Sequence, residues 1–236
     1  MTTISIQNLD QRYGGTQILW GLNLDVAAGS CTCIMGRNGV GKTTLLKCLM
    51  GLLPVSAGQI LLDGRPIEAR AAHNRAELGI GYVPQGRDIF PLLTVEENLR
   101  IGLHIGQKRR GLRTKAIPQK VFDLFPVLKD MLHRRGGDLS GGQQQQLAIG
   151  RALVLEPSVL ILDEPNEGIQ PNIVAQIGDV IKKLNGEGLT VLLVEQKLGF
   201  AKRVGDEFRL MEKGRVVASD AMANLSDELI RKHLAV

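Results

Sequence analysis

The sequence has few aromatic residues, few cysteines and no long apolar run, and each shortage excludes a class of protein. Aromatic residues make up 3% of the 236 positions, which is too few for the stacking platforms that bind single-stranded nucleic acid. The three cysteines, Cys31, Cys33 and Cys48, are odd in number, so a disulfide framework is not expected in a chain of this length. Cys31 and Cys33 alternate in a predicted strand, and we interpret them as small buried hydrophobic residues.

No apolar stretch approaches the ~20 residues that a membrane-spanning helix needs. The N-terminal segment lacks the basic run followed by an apolar run that marks a secretory signal. We therefore expect a cytoplasmic protein. Its four histidines are scattered without metal-ligand spacing. Its net charge of +5 is a mild bias that is compatible with an anionic membrane surface nearby.

Strand patterns and helical patterns alternate along much of the chain, which predicts an α/β fold built on a parallel sheet. Lys213-Gly214 between two short apolar runs predicts a hairpin, and Thr94 and Ser226 are predicted helix N-caps. Apolar residues recur at helical spacing from residue 45 and again from residue 173, which predicts a helix in each place. Apolar or alternating runs predict strands at 4–6, 22–26, 31–35, 59–62, 159–162 and 190–194.

The middle of the chain has a mainly helical pattern, which predicts a subdomain inserted into this core. We predict one domain over residues 1–236. Within it, residues 1–90 and 152–236 form the α/β core together with a β subdomain, and residues 91–151 form the helical subdomain.

A glycine-rich loop follows the strand at 31–35 and precedes a helix, and it matches the P-loop pattern in full. The glycines allow backbone N–H groups to converge on a phosphate, and the helix N-terminus favours the same anion. Lys42 is expected to reach the β- and γ-phosphates of a nucleotide, and the hydroxyl of Thr43 to bind Mg²⁺. The loop comprises Gly36, Arg37, Asn38, Gly39, Val40, Gly41, Lys42, Thr43 and Thr44.

Two acidic residues end the apolar strand at 159–162. Strand ends in parallel sheets deliver side chains to the ligand crevice. Asp163 is therefore placed to support Mg²⁺, and Glu164 is the candidate to polarise the attacking water. Two solvated acids at a strand end would be the alternative if the P-loop were absent.

A second anion site is predicted just before another helix. Ser140 offers a hydroxyl there, and the glycines after it offer exposed amides at a helix N-terminus. Such a site is unexpected in a monomer that has only one P-loop. The segment Leu139, Ser140, Gly141, Gly142 and Gln143 resembles the signature motif of ABC ATPases, and the resemblance covers essentially the whole chain.

The resemblance implies that the signature segment of one subunit closes on the ATP held by the P-loop of another, so that a head-to-tail dimer buries two ATP molecules. Tyr13 matches the aromatic residue that stacks on adenine, with a packed strand-end tyrosine as the alternative. Gln85 resembles the Q-loop glutamine, which senses Mg²⁺ and the γ-phosphate and links to the permease. The insert between Gln85 and Leu139 suits a transporter and is too short for the coiled-coil arms of chromosome-maintenance or repair relatives.

Two departures from the general family pattern indicate a branch. Gln196 stands where most ABC ATPases carry a catalytic His, and its amide can donate to the γ-phosphate without carrying charge. Residues 166–171 replace the usual D-loop and its Asp. Both resemble importers of branched-chain amino acids and urea, and the strings at 36–41 and 167–171 look closer to the urea subgroup. Asn166 stands where a Thr is expected, and nothing in the sequence explains it.

The resemblance thus implies an ATP-hydrolysing motor, with ATP and Mg²⁺ as cofactors, on the cytoplasmic face of the cell membrane. Implied partners are permease subunits, a second ABC ATPase subunit and, indirectly, a solute-binding protein, but no nucleic acid. A heterodimer is expected in the cell, although the purified chain can self-associate. The basic stretch from Gln107 to Lys120 is interpreted as a solvated face, with contact to the permease or to lipid headgroups as the alternative.

Three other functions stay open at this point. The first is a motor for branched-chain amino acids or short amides. The second is a soluble ABC ATPase that acts on nucleic acid or in cluster assembly. The third is a nucleotide-binding scaffold that does not hydrolyse, which the altered Gln196 and D-loop positions favour and the intact Asp163-Glu164 pair disfavours.

Overall fold

The computed structural model of the chain describes residues 2–110 and 116–234. Internal contacts divide the chain into two compact units. Met1–Ala72 and Leu184–Val236 make up the first unit, and His73–Lys183 make up the second. The predicted helical subdomain at 91–151 falls within the second unit, and its boundaries stay a prediction. Most of the basic run from Gln107 to Lys120 lies outside the described residues and side chains, so its predicted contact also stays a prediction.

The helices and strands follow the predicted alternation. Up to residue 83 they are β1 (Thr2–Tyr13), β2 (Thr16–Ala27), β3 (Cys31–Met35), α1 (Lys42–Leu49), β4 (Ala57–Leu62), β5 (Arg65–Pro66), α2 (Ala72–Glu77) and β6 (Ile80–Val83). Beyond it they are α3 (Val95–Arg110), α4 (Gln119–Leu124), α5 (Pro126–Asp130), α6 (Gly141–Leu153), β7 (Val159–Asp163), α7 (Pro171–Gly186), β8 (Thr190–Val194), α8 (Leu198–Val204), β9 (Glu207–Glu212), β10 (Arg215–Ala221) and α9 (Asp227–His233). Short 3-10 helices cover Gly136–Asp138 and Met222–Asn224.

The first unit contains both parallel and antiparallel pairing. The strands β2, β1, β4 and β5 form an antiparallel sheet in that order. β3 pairs in parallel with β8 on one side and with β9 on the other, and β10 lies antiparallel to β9. All five residues of β3 and all five of β8 are buried, as expected for parallel strands covered on both faces. Cys31, Cys33 and Cys48 are buried free thiols, which confirms the interpretation of Cys31 and Cys33 as small buried hydrophobic residues.

The second unit combines a parallel strand pair with helices. β6 and β7 run parallel, and α3 packs against α6. The predicted cap at Thr94 is present, because its hydroxyl accepts from the Glu97 amide while the Glu97 carboxylate accepts from the Thr94 amide and hydroxyl. These bonds to Thr94 lower the pKa of Glu97. The Ser226 cap of α9 in the first unit is also present.

Together these elements confirm the predicted α/β class, with parallel strands, an antiparallel sheet and a helical portion. The predicted hairpin at Lys213-Gly214 joins β9 to β10. Across residues 2–110 and 116–234, we find no helix with the length and apolar character required to traverse a bilayer.

Candidate functional site

The glycine-rich loop lies between β3 and α1 in the first unit, where two of its glycines are required by close packing. A Cβ on Gly36 would collide with the carbonyl oxygen of Met211 at the end of β9. Gly41 has a φ of 104°, and a Cβ there would lie 3.0 Å from Cδ2 of Leu19. Only glycine combines the left-handed backbone with the missing side chain. The loop therefore runs close against β9 and β2 and turns sharply into α1.

The Lys42 side chain folds back across this loop. Its Nζ donates to the carbonyl oxygens of Gly36 at 2.8 Å and Arg37 at 2.9 Å, and the residue is only 5% exposed. The ammonium is thus held inside the curve of the loop, beside the first amides of α1, which have no acceptor within the helix. Thr43 and Thr44 are half-buried in that first turn. A buried cation and a helix N-terminus together form a cradle for phosphate.

A feature not predicted from the sequence supports the outside of the cradle. The amide of Gly214, in the β9–β10 hairpin, donates to the carbonyl oxygen of Val40 at 3.0 Å. The carbonyl oxygen of Gly214 in turn accepts from the amide of Trp20 at 3.1 Å. The loop residues Arg37, Asn38 and Gly39 are left exposed. The hairpin therefore holds one side of the loop and leaves its tip accessible.

Tyr13 and Gln196 also belong to the first unit. Tyr13 ends β1 with 46% of its surface exposed, so its ring is available for stacking. Gln196 is exposed just after β8. The carboxylate of Glu195, which is 3% exposed, accepts from the amides of Gln196 and Lys197, each at 2.8 Å. The turn that carries Gln196 is thus fixed by a buried acid, whose only sequence signal is its place directly after an apolar strand.

Asp163 is the last residue of β7 in the second unit, and Glu164 follows it directly. Asp163 is 1% exposed, whereas Glu164 is half-buried with a φ of 48°. A left-handed backbone is uncommon for a glutamate and turns the chain sharply at the strand end. On the neighbouring β6, burial raises the pKa of Tyr82 well above its usual value, and the charges of Asp163 and Asp88 raise it further. The two acids therefore occupy different environments, one in the core and one at its edge.

Gln85 follows β6 and is linked to the segment after Glu164. Its Nε2 donates to Oε2 of Glu167 at 2.9 Å, and both side chains are exposed. Asn166, the departure that the sequence left unexplained, is fully buried in the same turn. The structure thus brings Gln85, the predicted Q-loop glutamine, together with the predicted D-loop segment, which sequence spacing did not indicate.

The signature segment lies at the start of α6. The Ser140 hydroxyl accepts from the Gln143 amide at 3.4 Å, and Oε1 of Gln143 accepts from the Ser140 amide at 2.9 Å, a reciprocal capping box. The sequence predicted the hydroxyl as an anion ligand. Although the Ser140 hydroxyl accepts the capping bond, its own O–H can still donate to an anion, because a hydroxyl can accept and donate at once.

An open cleft of about 820 Å³ borders this helix start. Ser140, Gly141, Gly142 and Gln143 line it together with residues of α4, α5 and α7. Gly142 packs so tightly against α7 that a Cβ would lie 3.0 Å from Cγ1 of Ile173. The helix start with its exposed Ser140 therefore faces open space wide enough for a ligand group.

These features agree with the comparison with known proteins. The sequence pattern of the family described as ABC transporter matches residues 19–167. The chain belongs to this family. It is an ATPase whose P-loop NTPase fold, as predicted, is that of ABC cassettes, and it binds nucleotide.

Several relatives align over most of this ABC ATPase. The high-affinity branched-chain amino acid transport ATP-binding protein BraG of Pseudomonas aeruginosa is 39% identical, covering 94% of each chain. The probable branched-chain amino acid transport ATP-binding protein LivF of Archaeoglobus fulgidus is 40% identical, covering 88% of this chain and 87% of that one. The Nod factor export ATP-binding protein I of Burkholderia orbicola is 36% identical, covering 92% of this chain and 70% of that one.

Solved structures have the same fold. The ADP conformation of MJ1267, an ATP-binding cassette of an ABC transporter, has a TM-score of 0.81 at 27% identity, covering 98% of both chains. The dimeric structure of MJ0796, a bacterial ABC transporter cassette, has a TM-score of 0.81 at 27% identity, covering 93% of this chain and 98% of that one. The assignment of each role to an individual residue stays a prediction.

Proposed function

We propose that this ATPase is the motor subunit of an ABC importer, with urea as its solute. The observation that carries the motor role is that one chain has both a phosphate cradle, in the first unit, and a capped signature helix, in the second. A single nucleotide-binding site needs only the first of these. The signature helix supports a role for this subunit in contacting the nucleotide that a partner subunit holds.

In this proposal the loop from Gly36 to Thr44 holds the phosphates of ATP. Its backbone amides and Lys42 neutralise their charge, and Tyr13 stacks on the adenine. Thr43, Gln85 and Asp163 would hold Mg²⁺, which would neutralise charge on the phosphates. Glu164 accepts a proton from the attacking water.

The dimer and the permease complete the proposed cycle. Leu139 to Gln143 of one subunit close over the γ-phosphate bound by the other, and product release reopens the pair. The partner ATPase subunit is expected to be a related chain in the cell. Exposed apolar side chains in the segment that follows Gln85 along the chain support a permease contact, since Phe90 is 45%, Leu92 80% and Ile101 41% exposed. The protein would then act at the cytoplasmic face of the membrane, with a solute-binding protein contacting only the permease.

Replacing Gln196 by alanine is expected to slow ATP hydrolysis by up to about 100-fold, the cost of removing one transition-state donor. Because Glu195 fixes the turn through backbone amides, the substitution leaves the turn itself in place. The rate of phosphate release by the assembled transporter checks this prediction. A rate equal to that of the wild type would make Gln196 a bystander.

Two observations point to different solutes. The strings at 36–41 and 167–171 look like the urea subgroup, whereas BraG and LivF carry branched-chain amino acid names. A motor subunit does not contact the solute, so identities near 40% leave room for either. A motor for branched-chain amino acids or short amides is therefore the second candidate.

Uptake of labelled urea and labelled leucine tests the proposal in cells that lack the gene. The deletion strain is complemented with the wild type, with Lys42→Ala, or with Lys47→Ala as a matched control on the exposed side of α1. We expect loss of urea uptake alone, restored by the wild type and by Lys47→Ala. Loss of leucine uptake instead would keep the motor role and discard urea, and loss of neither would contradict both solutes.

A further inference from the structure

Arg87, two residues after Gln85, lies in an unusual stretch of backbone. Gly86, Arg87 and Asp88 have successive φ values of 87°, 75° and 48°. Left-handed backbone is uncommon for residues with a side chain, and such residues persist only where the surrounding structure holds them. Two turn bonds, from Arg87 N to Pro84 O at 3.0 Å and from Asp88 N to Gly86 O at 2.9 Å, close the loop. This backbone conformation directs the Arg87 side chain toward α6.

The guanidinium of Arg87 bridges helix α6 and the segment that follows Glu164. Its Nη1 donates to Oε1 of Gln144 at 3.2 Å, and its Nη2 donates to the carbonyl oxygen of Glu167 at 3.4 Å. A Cβ on Gly141 would lie 3.4 Å from both nitrogens. The cation therefore lies beside the first turn of α6 and contacts the altered D-loop. The planar guanidinium of arginine can donate to two acceptors at once in a fixed geometry. The ammonium of a lysine is a point charge on a flexible stem and does not have this geometry.

Gln144 carries the contact onward to the residues that enter the signature helix. Its Nε2 donates to the carbonyl oxygen of Leu139 at 3.1 Å and to that of Gly136 at 3.4 Å. The Gln144 amide therefore accepts from Arg87 through its oxygen and donates to these two carbonyl oxygens through its nitrogen. A continuous chain of bonds thus runs from Arg87 through Gln144 to Leu139, next to Ser140.

Arg151 attaches the same loop to α6 at a second point. Its Nη2 donates to the carbonyl oxygens of Asp88 at 2.7 Å and Arg87 at 3.4 Å, and its guanidinium lies 5.2 Å from the centre of the Phe90 ring. Gln144 and Arg151 are two turns apart, about 10 Å along the helix. Two attachments at that separation prevent the loop from pivoting on α6, so the loop and the helix move together.

We propose that Arg87 is a positioning residue for ATP hydrolysis, which locks the loop after Gln85 to the signature segment through Gln144. The proposal rests on the predicted contact of Gln85 and of Ser140 to Gln143 with nucleotide. A shift of Gln85 at one ATP is then passed to the signature segment that faces the partner's ATP. Arg87 acts through Gln144 and the Glu167 carbonyl, not through contact with the reacting atoms.

Steady-state kinetics of the purified chain test this role with Arg87→Ala, Arg87→Lys and the control Arg100→Ala. Arg100 is an exposed arginine of the same unit, paired with Glu96 on α3. For Arg87→Ala we expect kcat to fall about 10-fold, as the loss of a hydrogen bond to a charged group does. The KM for MgATP should stay within about twofold of the wild-type value, because the substitution slows the hydrolysis step and leaves ATP binding unchanged. Arg87→Lys should remain impaired, and Arg100→Ala should match the wild type.

Hydrogen exchange gives a readout that needs no turnover. In Arg87→Ala the amides of residues 139–144 should exchange faster, while those of β6 and β7 keep their wild-type rates. Unchanged exchange at 139–144 would overturn the proposal, as would an unchanged kcat. A general rise in exchange across the second unit would also overturn it, since that would mark a merely structural role.

A double-mutant cycle with Gln144→Ala identifies the route. If Arg87 acts through Gln144, the double variant should lose no more activity than the worse single variant, because contacting residues are not additive. Fold-losses that multiply would show that the two side chains act independently and would contradict the proposal. None of these measurements depends on the solute, so the uptake experiment can fail while this one succeeds.

Discussion

Replacing Glu164 by glutamine is expected to lower the turnover number for ATP about 100-fold to 1,000-fold while ATP is still bound. A general base contributes in that range, because it accepts a proton as the water attacks. Glutamine has nearly the same shape and can still accept a hydrogen bond, but it is not basic. The variant therefore separates the chemistry from the packing.

The structure explains why Glu164 and not Asp163 is the candidate. Asp163 is the last residue of the fully buried β7 and is 1% exposed. Glu164 follows in a left-handed turn, with a φ of 48°, and is half-buried. A base must reach water, whereas a residue that supports Mg²⁺ is better held rigid. Because the chain turns between the two acids, adjacent residues occupy a buried position at Asp163 and a water-accessible position at Glu164.

The measurement is phosphate release at saturating MgATP, together with equilibrium binding of ATP. Glu156→Gln is the matched control, since Glu156 is an exposed glutamate of the same unit with a left-handed φ of 47°. The control should retain the wild-type rate. If Glu164→Gln hydrolyses ATP as fast as the wild type, the assignment of the base is wrong. If it no longer binds ATP, the carboxylate serves binding and the same assignment is also wrong.

The sequence predicted the fold well where one periodicity ran without interruption. β3, β7 and β8 are short, mainly apolar runs, and each is buried at every position. The caps at Thr94 and Ser226 were also predicted, because a cap depends on residues only three positions apart. Interactions between residues this close in the chain can be predicted from the local sequence alone.

Parts of the site could not be predicted, because they depend on contacts between distant segments. The bond from Gly214 to the Val40 carbonyl joins a hairpin to the P-loop across most of the chain. Arg87 and Gln144 lay next to recognised motifs, yet no spacing rule pairs them. Glu167 is another case, since an exposed acid gives no sign that it accepts from Gln85. A motif identifies the residues predicted to contact the ligand, but it gives no sign of the distant residues that hold them in place.

Replacing Lys42 by methionine is expected to weaken ATP binding at least about 100-fold, the cost of a charge-assisted contact to phosphate in a partly desolvated site. Methionine keeps the length of the apolar stem but removes the ammonium. That ammonium is held by the carbonyl oxygens of Gly36 and Arg37 inside the loop. Its position is thus fixed before any nucleotide arrives, so no side-chain ordering opposes binding.

Ligand-linked thermal stability measures this effect without turnover. At an ATP concentration 100 times the Kd, binding stabilises the folded chain by about 2.7 kcal/mol, which corresponds to a rise in Tm of about 5–10 °C for a domain of this size. The wild type and the control Lys47→Met, an exposed lysine on the same helix, should show that rise at an ATP concentration where Lys42→Met shows almost none. An equal rise in all three proteins would mean that Lys42 does not contact phosphate. Since the protocol subtracts each variant's own Tm without ATP, any direct effect of Lys42 on folding cancels, and the difference reports the nucleotide contact alone.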